Sequence, residues 1–120
     1  MARLMIVDDS LFQRKSLAKI VSCVGWEVAG EASNGREAID MYERTRPDAV
    51  LMDLVMPEME GIEAVRRILS FDKNARIVVI SSLGYDQVVD EALSIGAKEF
   101  LTKPVQFSDT VACIRKVLSA

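Results

Sequence analysis

Two adjacent carboxylates, Asp8 and Asp9, follow the apolar run Leu4–Val7 without a break, and a third, Asp53, closes the stretch AVLMD. Hydroxyls stand where Ile77–Ile80 leads into Ser81-Ser82, and an ammonium stands where Glu99–Leu101 leads into Thr102-Lys103-Pro104. Two carboxylates about 4 Å apart repel by roughly 4 kcal/mol at an effective dielectric of about 20, so acids sharing a pocket need a counter-charge or a proton. A hard divalent cation relieves the repulsion, and Mg2+ suits a site with few carboxylates and open positions for water and phosphate oxygens. With a hydroxyl and an ammonium beside it, such a cluster has what phosphoryl transfer requires: neutralised equatorial oxygens and an in-line nucleophile. Asp53 is the natural nucleophile, because a carboxylate can attack phosphorus to give an acyl phosphate. Each residue alone has a plainer reading: a solvated loop with Asp9 or Ser10 capping a helix, a turn aspartate at 53, a loop hydroxyl at 81, a surface lysine at 103. Together they point to a site, because the ends of four apolar runs carry these groups at once.

Chemistry of this kind depends on elements that bring the groups to one place. Five apolar runs, Leu4–Val7, Val28–Ala32, Ala49–Met52, Ile77–Ile80 and Glu99–Leu101, alternate with segments of helical period. Leu17, Ile20, Val21 and Val24 recur at the spacing of one helix face, and Ile62, Val65, Ile68 and Leu69 repeat it. Weaker copies are Ala38, Ile39 and Tyr42; Val88, Val89, Ala92 and Leu93; and Val111, Ile114 and Leu118. Strand–helix alternation implies a parallel sheet with helices on both faces, since each parallel connection needs a crossover. The first, third and fourth runs are apolar throughout, as strands covered on both faces should be, whereas Gly30, Glu31 and Glu99 mark the second and fifth as edges. The expected fold is an α/β, three-layer, doubly wound (βα)5 sandwich of flavodoxin-like type. Its strand order 2-1-3-4-5 is taken from that known arrangement, in which ligands bind beyond the carboxyl ends of the strands. Ser10 as a cap, Gly25, Asn34-Gly35 and Pro47 punctuate the first two helices, and Gly61, Gly84 and Gly96 fall at later junctions.

The chain has 120 residues, half of them hydrophobic, and a net charge of −3. That is the size of one domain, and residues 1–120 are expected to form a single unit with no output domain. No apolar run is long enough to span a bilayer and no charged leader opens the chain, so a cytoplasmic protein without membrane insertion is expected. Lys and Arg form no block, which speaks against direct nucleic-acid binding. Cys23 and Cys113 fit no metal-ligand spacing and read as small core-facing residues. The sequence contains no histidine, so general-base, metal-ligand and phosphohistidine roles for that side chain are excluded, and any phosphoryl donor lies outside this chain.

The ordered set IVDDS, LMDLVMPEMEGIEAV, VVISS and GAKEFLTKP resembles the receiver domains of two-component response regulators, above all their stand-alone chemotaxis members, over essentially the whole chain. The resemblance implies that Asp53 accepts the phosphoryl group from a histidine kinase. It implies that Asp8, Asp9, Asp53 and the Val55 carbonyl hold Mg2+, and that Lys103, before a cis bond to Pro104, pairs with the phosphoryl group. Ser81 takes the place of the switch hydroxyl and Phe100 that of the switch aromatic. On phosphorylation, the resemblance implies, the hydroxyl moves toward the site, the aromatic turns inward, and a face made by the fourth helix, fifth strand and fifth helix becomes competent for an output partner such as a flagellar motor switch component. Phe100 departs from relatives with Tyr there, which puts the strength of that coupling in question. The positions two beyond the phosphoacceptor and two beyond the hydroxyl tune hydrolysis; here they are Val55 and Leu83, neither able to orient water, so a long-lived phosphorylated state is expected. The resemblance also implies a switch that assists its own phosphoryl transfer and dephosphorylation rather than an enzyme with a separate substrate, acting as a monomer.

Alternatives stay open within and beyond that family. A phosphorelay intermediate or phosphate sink would use the same pocket. An aspartyl-phosphate phosphatase needs a DxDxT motif, but Leu54 and Val55 follow Asp53, and neither G-x-x-x-x-G-K-S/T nor G-x-G-x-x-G occurs for nucleotide binding. Met52 is expected in the core, with Met56 and Met59 lining the loop beyond Asp53. Leu11, Phe12 and Arg14 are expected on a helix beside the pocket, where partners of the family dock.

Overall fold

A computed structural model describes residues 1–56, 60–84 and 86–120. Among them five strands alternate with five helices: β1 (Arg3–Val7), α1 (Leu11–Cys23), β2 (Glu27–Ala32), α2 (Gly35–Thr45), β3 (Ala49–Asp53), α3 (Gly61–Phe71), β4 (Ile77–Ser81), α4 (Gln87–Ile95), β5 (Glu99–Thr102) and α5 (Phe107–Leu118). The strands are parallel and ordered β2-β1-β3-β4-β5, the flavodoxin-like arrangement expected from the sequence. All of β3 and β4 is buried, as their unbroken apolar character requires, while β2 and β5 form the edges.

Alternation along the strands divides the core in two. Met5, Val7, Val50, Met52, Ile77 and Val79 face α2, α3 and α4. Leu4, Ile6, Leu51, Val78 and Ile80 face α1 and α5, where Leu17, Val21, Ile114 and Val117 close the second layer. The helix starts obey local chemistry: Ser10, Asn34 and Asp86 accept hydrogen bonds from the backbone N–H groups of Gln13, Glu37 and Val89. Glu37 reaches back to Ser33, whose backbone N–H and then hydroxyl donate to it and hold its carboxyl below the usual range. Gly25, with φ of 85°, comes just after the end of α1, and Pro47 just after α2. No helix among the described residues is long and apolar enough to cross a membrane.

Three details differ from the sequence reading. Cys23 is exposed, because two residues along a helix turn it about 200° from Val21, which faces the core. Met56 is buried in the core layer with Leu54 and the inner face of α3 instead of lining the loop; Met52 is in the core as expected, and Met59 lies outside the described residues. Val88, expected on the inner face of α4, is exposed, with Val89 and Ala92 buried in its stead. Cys113, by contrast, is partly buried against the α1/α5 layer, and burial, followed by the charge of Glu99, pushes its thiol up to about 11.

Candidate functional site

Parallel register decides which side chains meet. Val7 pairs with Met52 across β1 and β3, so the next residues, Asp8 and Asp53, emerge side by side at the sheet's carboxyl edge. Asp8, Asp9 and Asp53 each offer a carboxylate oxygen, and these lie within 4.8 Å of one another. Asp8 and Asp53 are buried whereas Asp9 is exposed. Lys103, one residue past the end of β5, places its ammonium 3.1 Å from Asp8 Oδ2 and 3.3 Å from Asp53 Oδ2.

The pocket's electrostatics are those of acids short of counter-charge. Burial and then the charge of Asp8 raise the pKa of Asp53, against the pull of Lys103 and of the Val55 N–H, which donates to Asp53 Oδ1 at 3.3 Å. Burial works against the charge on Lys103, but the charge of Asp53 and the contacts with Asp8 outweigh it and its pKa is raised. Asp8 Oδ1 accepts the N–H of Ser10 at 2.9 Å. Asp8 Oδ2 is buried and, beyond the ion pair with Lys103, has no hydrogen bond among the described residues. Three hard carboxylate donors with one ammonium between them, one of their buried oxygens without a hydrogen bond among the described residues, fit a small divalent cation, and Mg2+ in particular.

Ser81 ends β4 and is buried; its Oγ accepts the N–H of Leu83 at 3.2 Å and its carbonyl accepts the N–H of Lys103 at 2.9 Å. The peptide from Lys103 to Pro104 is cis. Phe100 sits on β5 opposite Val79, partly buried against the layer of α2, α3 and α4. Val55 and Leu83 are 65% and 78% exposed at the rim, and Leu11 and Phe12 are exposed at the start of α1. Ser82 and Thr102 are exposed.

Arg14 lies on α1 beside the pocket, as expected, but it does not offer a surface for a partner. Its side chain is only 15% exposed and its donors are engaged internally: Nη1 donates to the Asp8 carbonyl at 2.7 Å, and Nε donates to Glu31 Oε1 at 3.1 Å. Gly61 matters more than a junction residue would. A Cβ there would overlap the Asp53 carbonyl oxygen and lie 2.6 Å from Leu54 Cα, so α3 begins pressed against the backbone of the central acid.

Residues 4–115 match the model of the response regulator receiver domain. The chain belongs to that family. This receiver domain is 49% identical to the chemotaxis protein CheY of Thermotoga maritima over 115 residues, 96% of either chain. It is 41% identical to CheY of Bacillus subtilis over 117 residues, 98% of each. Among solved structures it is similar to CheY in the CheX–CheY–BeF3–Mg2+ complex of Borrelia burgdorferi, with a TM-score of 0.93 and 37% identity over 97% of this chain and 88% of that one. The response regulator domain of Thermotoga maritima CheB gives a TM-score of 0.94 at 31% identity, covering 100% of this chain and 98% of that one. Receiver domains of the CheY type are signalling switches that take phosphate from a histidine kinase, act on output partners and bind Mg2+ at an acidic cluster.

Proposed function

We propose that this receiver domain is a phosphorylation-dependent switch of chemotaxis, with Asp53 as phosphoacceptor. The observation that carries the reading is the single ammonium of Lys103 within 3.3 Å of both Asp8 and Asp53, beside a third carboxylate. An Asp53 oxygen attacks phosphorus of the kinase's phosphoimidazole; the new O–P bond forms as the P–N bond breaks and its electron pair leaves with the nitrogen. Burial works against the ionised carboxylate this requires, and Lys103 supplies the opposing charge. Asp8, Asp9, Asp53 and the Val55 carbonyl would hold Mg2+, which would supply charge neutralisation to the equatorial oxygens.

Once Asp53 carries phosphate, Lys103 pairs with a phosphoryl oxygen and the Ser81 hydroxyl donates to another, releasing the Leu83 N–H. Phe100 then turns further inward on β5. Val88 and Phe107, exposed on α4 and α5, frame that strand and give the output face its apolar contacts. The output partner is a protein such as a flagellar motor switch component, and the switch works in the cytoplasm as a monomer.

Incubation with a small acyl phosphate and Mg2+ tests the reading. Intact-mass analysis is expected to show one added phosphoryl group on the wild type and none on Asp53→Asn. Equal phosphorylation of both, or of neither, overturns it.

A further inference from the structure

The Asp9 carboxylate reaches the acid cluster without support of its own. Among the described residues no hydrogen bond or ion pair holds that side chain, and it is exposed, yet its oxygen lies within 4.8 Å of those of Asp8 and Asp53. Its position is therefore set by the peptide that joins it to Asp8. The carbonyl of that peptide, that of Asp8, accepts from Arg14 Nη1 at 2.7 Å, and the peptide before it is tied to β2, whose Ala32 carbonyl accepts the N–H of Asp8 at 3.1 Å. Glu31 of β2 aims the guanidinium from behind at 3.1 Å.

The placement of Arg14 is otherwise unfavourable. It stands in the first turns of α1, its own N–H bonded to the capping residue Ser10, where the helix dipole disfavours a cation. It is largely buried, which costs a guanidinium its hydration unless the fork is paired. A residue meant only for the surface of α1 has no reason to accept both terms.

We infer that Arg14, oriented by Glu31, is a positioning residue for divalent-cation binding: it fixes the Asp8–Asp9 peptide so that both carboxylates face the same ion. This rests on the reading of the acid cluster as the Mg2+ site. The expected effect is opposite in sign to that of simple electrostatics. Removing a positive charge near a cation site, and leaving Glu31 unpaired, should tighten Mg2+ by Coulomb attraction; loss of positioning should loosen it.

The test is isothermal titration of Mg2+ into the unphosphorylated full chain, for wild type, Arg14→Met, Arg14→Lys and Arg66→Met, with circular dichroism to confirm folding. Arg66→Met makes the same charge change on an exposed ion pair of α3. Arg14→Met is expected to weaken Mg2+ about 10-fold, as loss of residues that orient metal ligands commonly does. Arg14→Lys keeps the charge but loses the planar fork whose separate nitrogens hold the Asp8 carbonyl and Glu31, so it is expected to weaken binding in the same direction, and Arg66→Met to leave it unchanged. Where Arg14→Met does not fold, Arg14→Lys decides. Binding in the folded Arg14 variants as tight as in the wild type, or tighter, overturns the inference and leaves the Mg2+ site standing. No uptake by the wild type overturns both.

Discussion

Gly61→Ala should damage this protein more than any other single-methyl addition at a junction. The Cβ would overlap the Asp53 carbonyl oxygen and lie 2.6 Å from Leu54 Cα and 2.9 Å from Asp53 C, where ordinary non-bonded contact needs about 3.5 Å. Relief requires the start of α3 to retreat by more than about 1 Å, since the obstacle is backbone and cannot rotate away. Overpacking of this kind costs roughly 1–3 kcal/mol. The retreat also stretches the hydrogen bond from the Gly61 N–H to the Leu54 carbonyl, 3.1 Å long, for about 1 kcal/mol more. A total near 3 kcal/mol lowers the melting temperature of a domain this size by roughly 10 °C. Gly25→Ala is the comparison: there φ is 85° but nothing lies within 4 Å of a new Cβ, so only the left-handed backbone is penalised, by about 1 kcal/mol. Urea unfolding of both variants measures the difference. If Gly61→Ala costs no more than Gly25→Ala, the close approach of α3 to the acid's backbone is not what the glycine serves.

Tyr42→Phe removes the hydrogen bond from the tyrosine hydroxyl to Asp72 Oδ2, 2.8 Å long, and should cost about 1 kcal/mol at neutral pH. Asp72 is held below the usual carboxylate range by that bond first and by the Asn74 N–H second, so its contribution is complete above about pH 4 and is lost as pH falls through its lowered value. The gap between variant and wild type in chemical unfolding should therefore close on acidification; a gap that does not change with pH would assign the effect to packing. Val55→Asn puts a polar group that can hold water at an exposed rim position beside Asp53 and should speed loss of phosphate several-fold, read as decay of the phosphorylated mass; an unchanged lifetime would remove Val55 from the tuning of hydrolysis. Thr110→Val replaces a fully buried hydroxyl oxygen that has no hydrogen-bond partner among the described residues and should raise stability by about 1 kcal/mol, seen as a higher urea midpoint; a loss would mean the hydroxyl is satisfied in solution.

The acids at the strand ends were legible because a strand keeps its residues in line: an apolar run buried on both faces must end at the sheet edge, and the residue after it lands there. Parallel register did the rest for Asp8, Asp53 and Lys103. The part played by Arg14 was hidden for the opposite reason. Its contact with the Asp8 carbonyl depends on how α1 folds back across the β1–β2 edge, and no periodicity encodes a side chain meeting a backbone oxygen. Glu31, read only as the mark of an edge strand, is polar because it has a guanidinium to aim. Gly61 shows itself as a break in the pattern, but the reason for it, the absence of room for a Cβ beside the Asp53 carbonyl, exists only once α3 is docked. Cys23 departs from the pattern because the phase of α1 at its last residue turns the side chain to solvent, and Met56 because it lies in the loop after β3, where no period applies.

The strand order also accounts for why the counter-charge is a lysine. Lys103 leaves β5 and must pass the end of β4 to reach Asp53 on β3 and Asp8 on β1, crossing rows spaced about 4.8 Å apart. Only a long side chain covers that distance, and a compact ammonium can contact two carboxylates at once without the planar fork an arginine would have to fit between them. The residue ending the strand it crosses is Ser81, short enough to leave the way open and polar enough to meet phosphate. The small hydroxyl of β4 and the long cation of β5 are thus one geometric solution to a site whose acids lie two and three strands away.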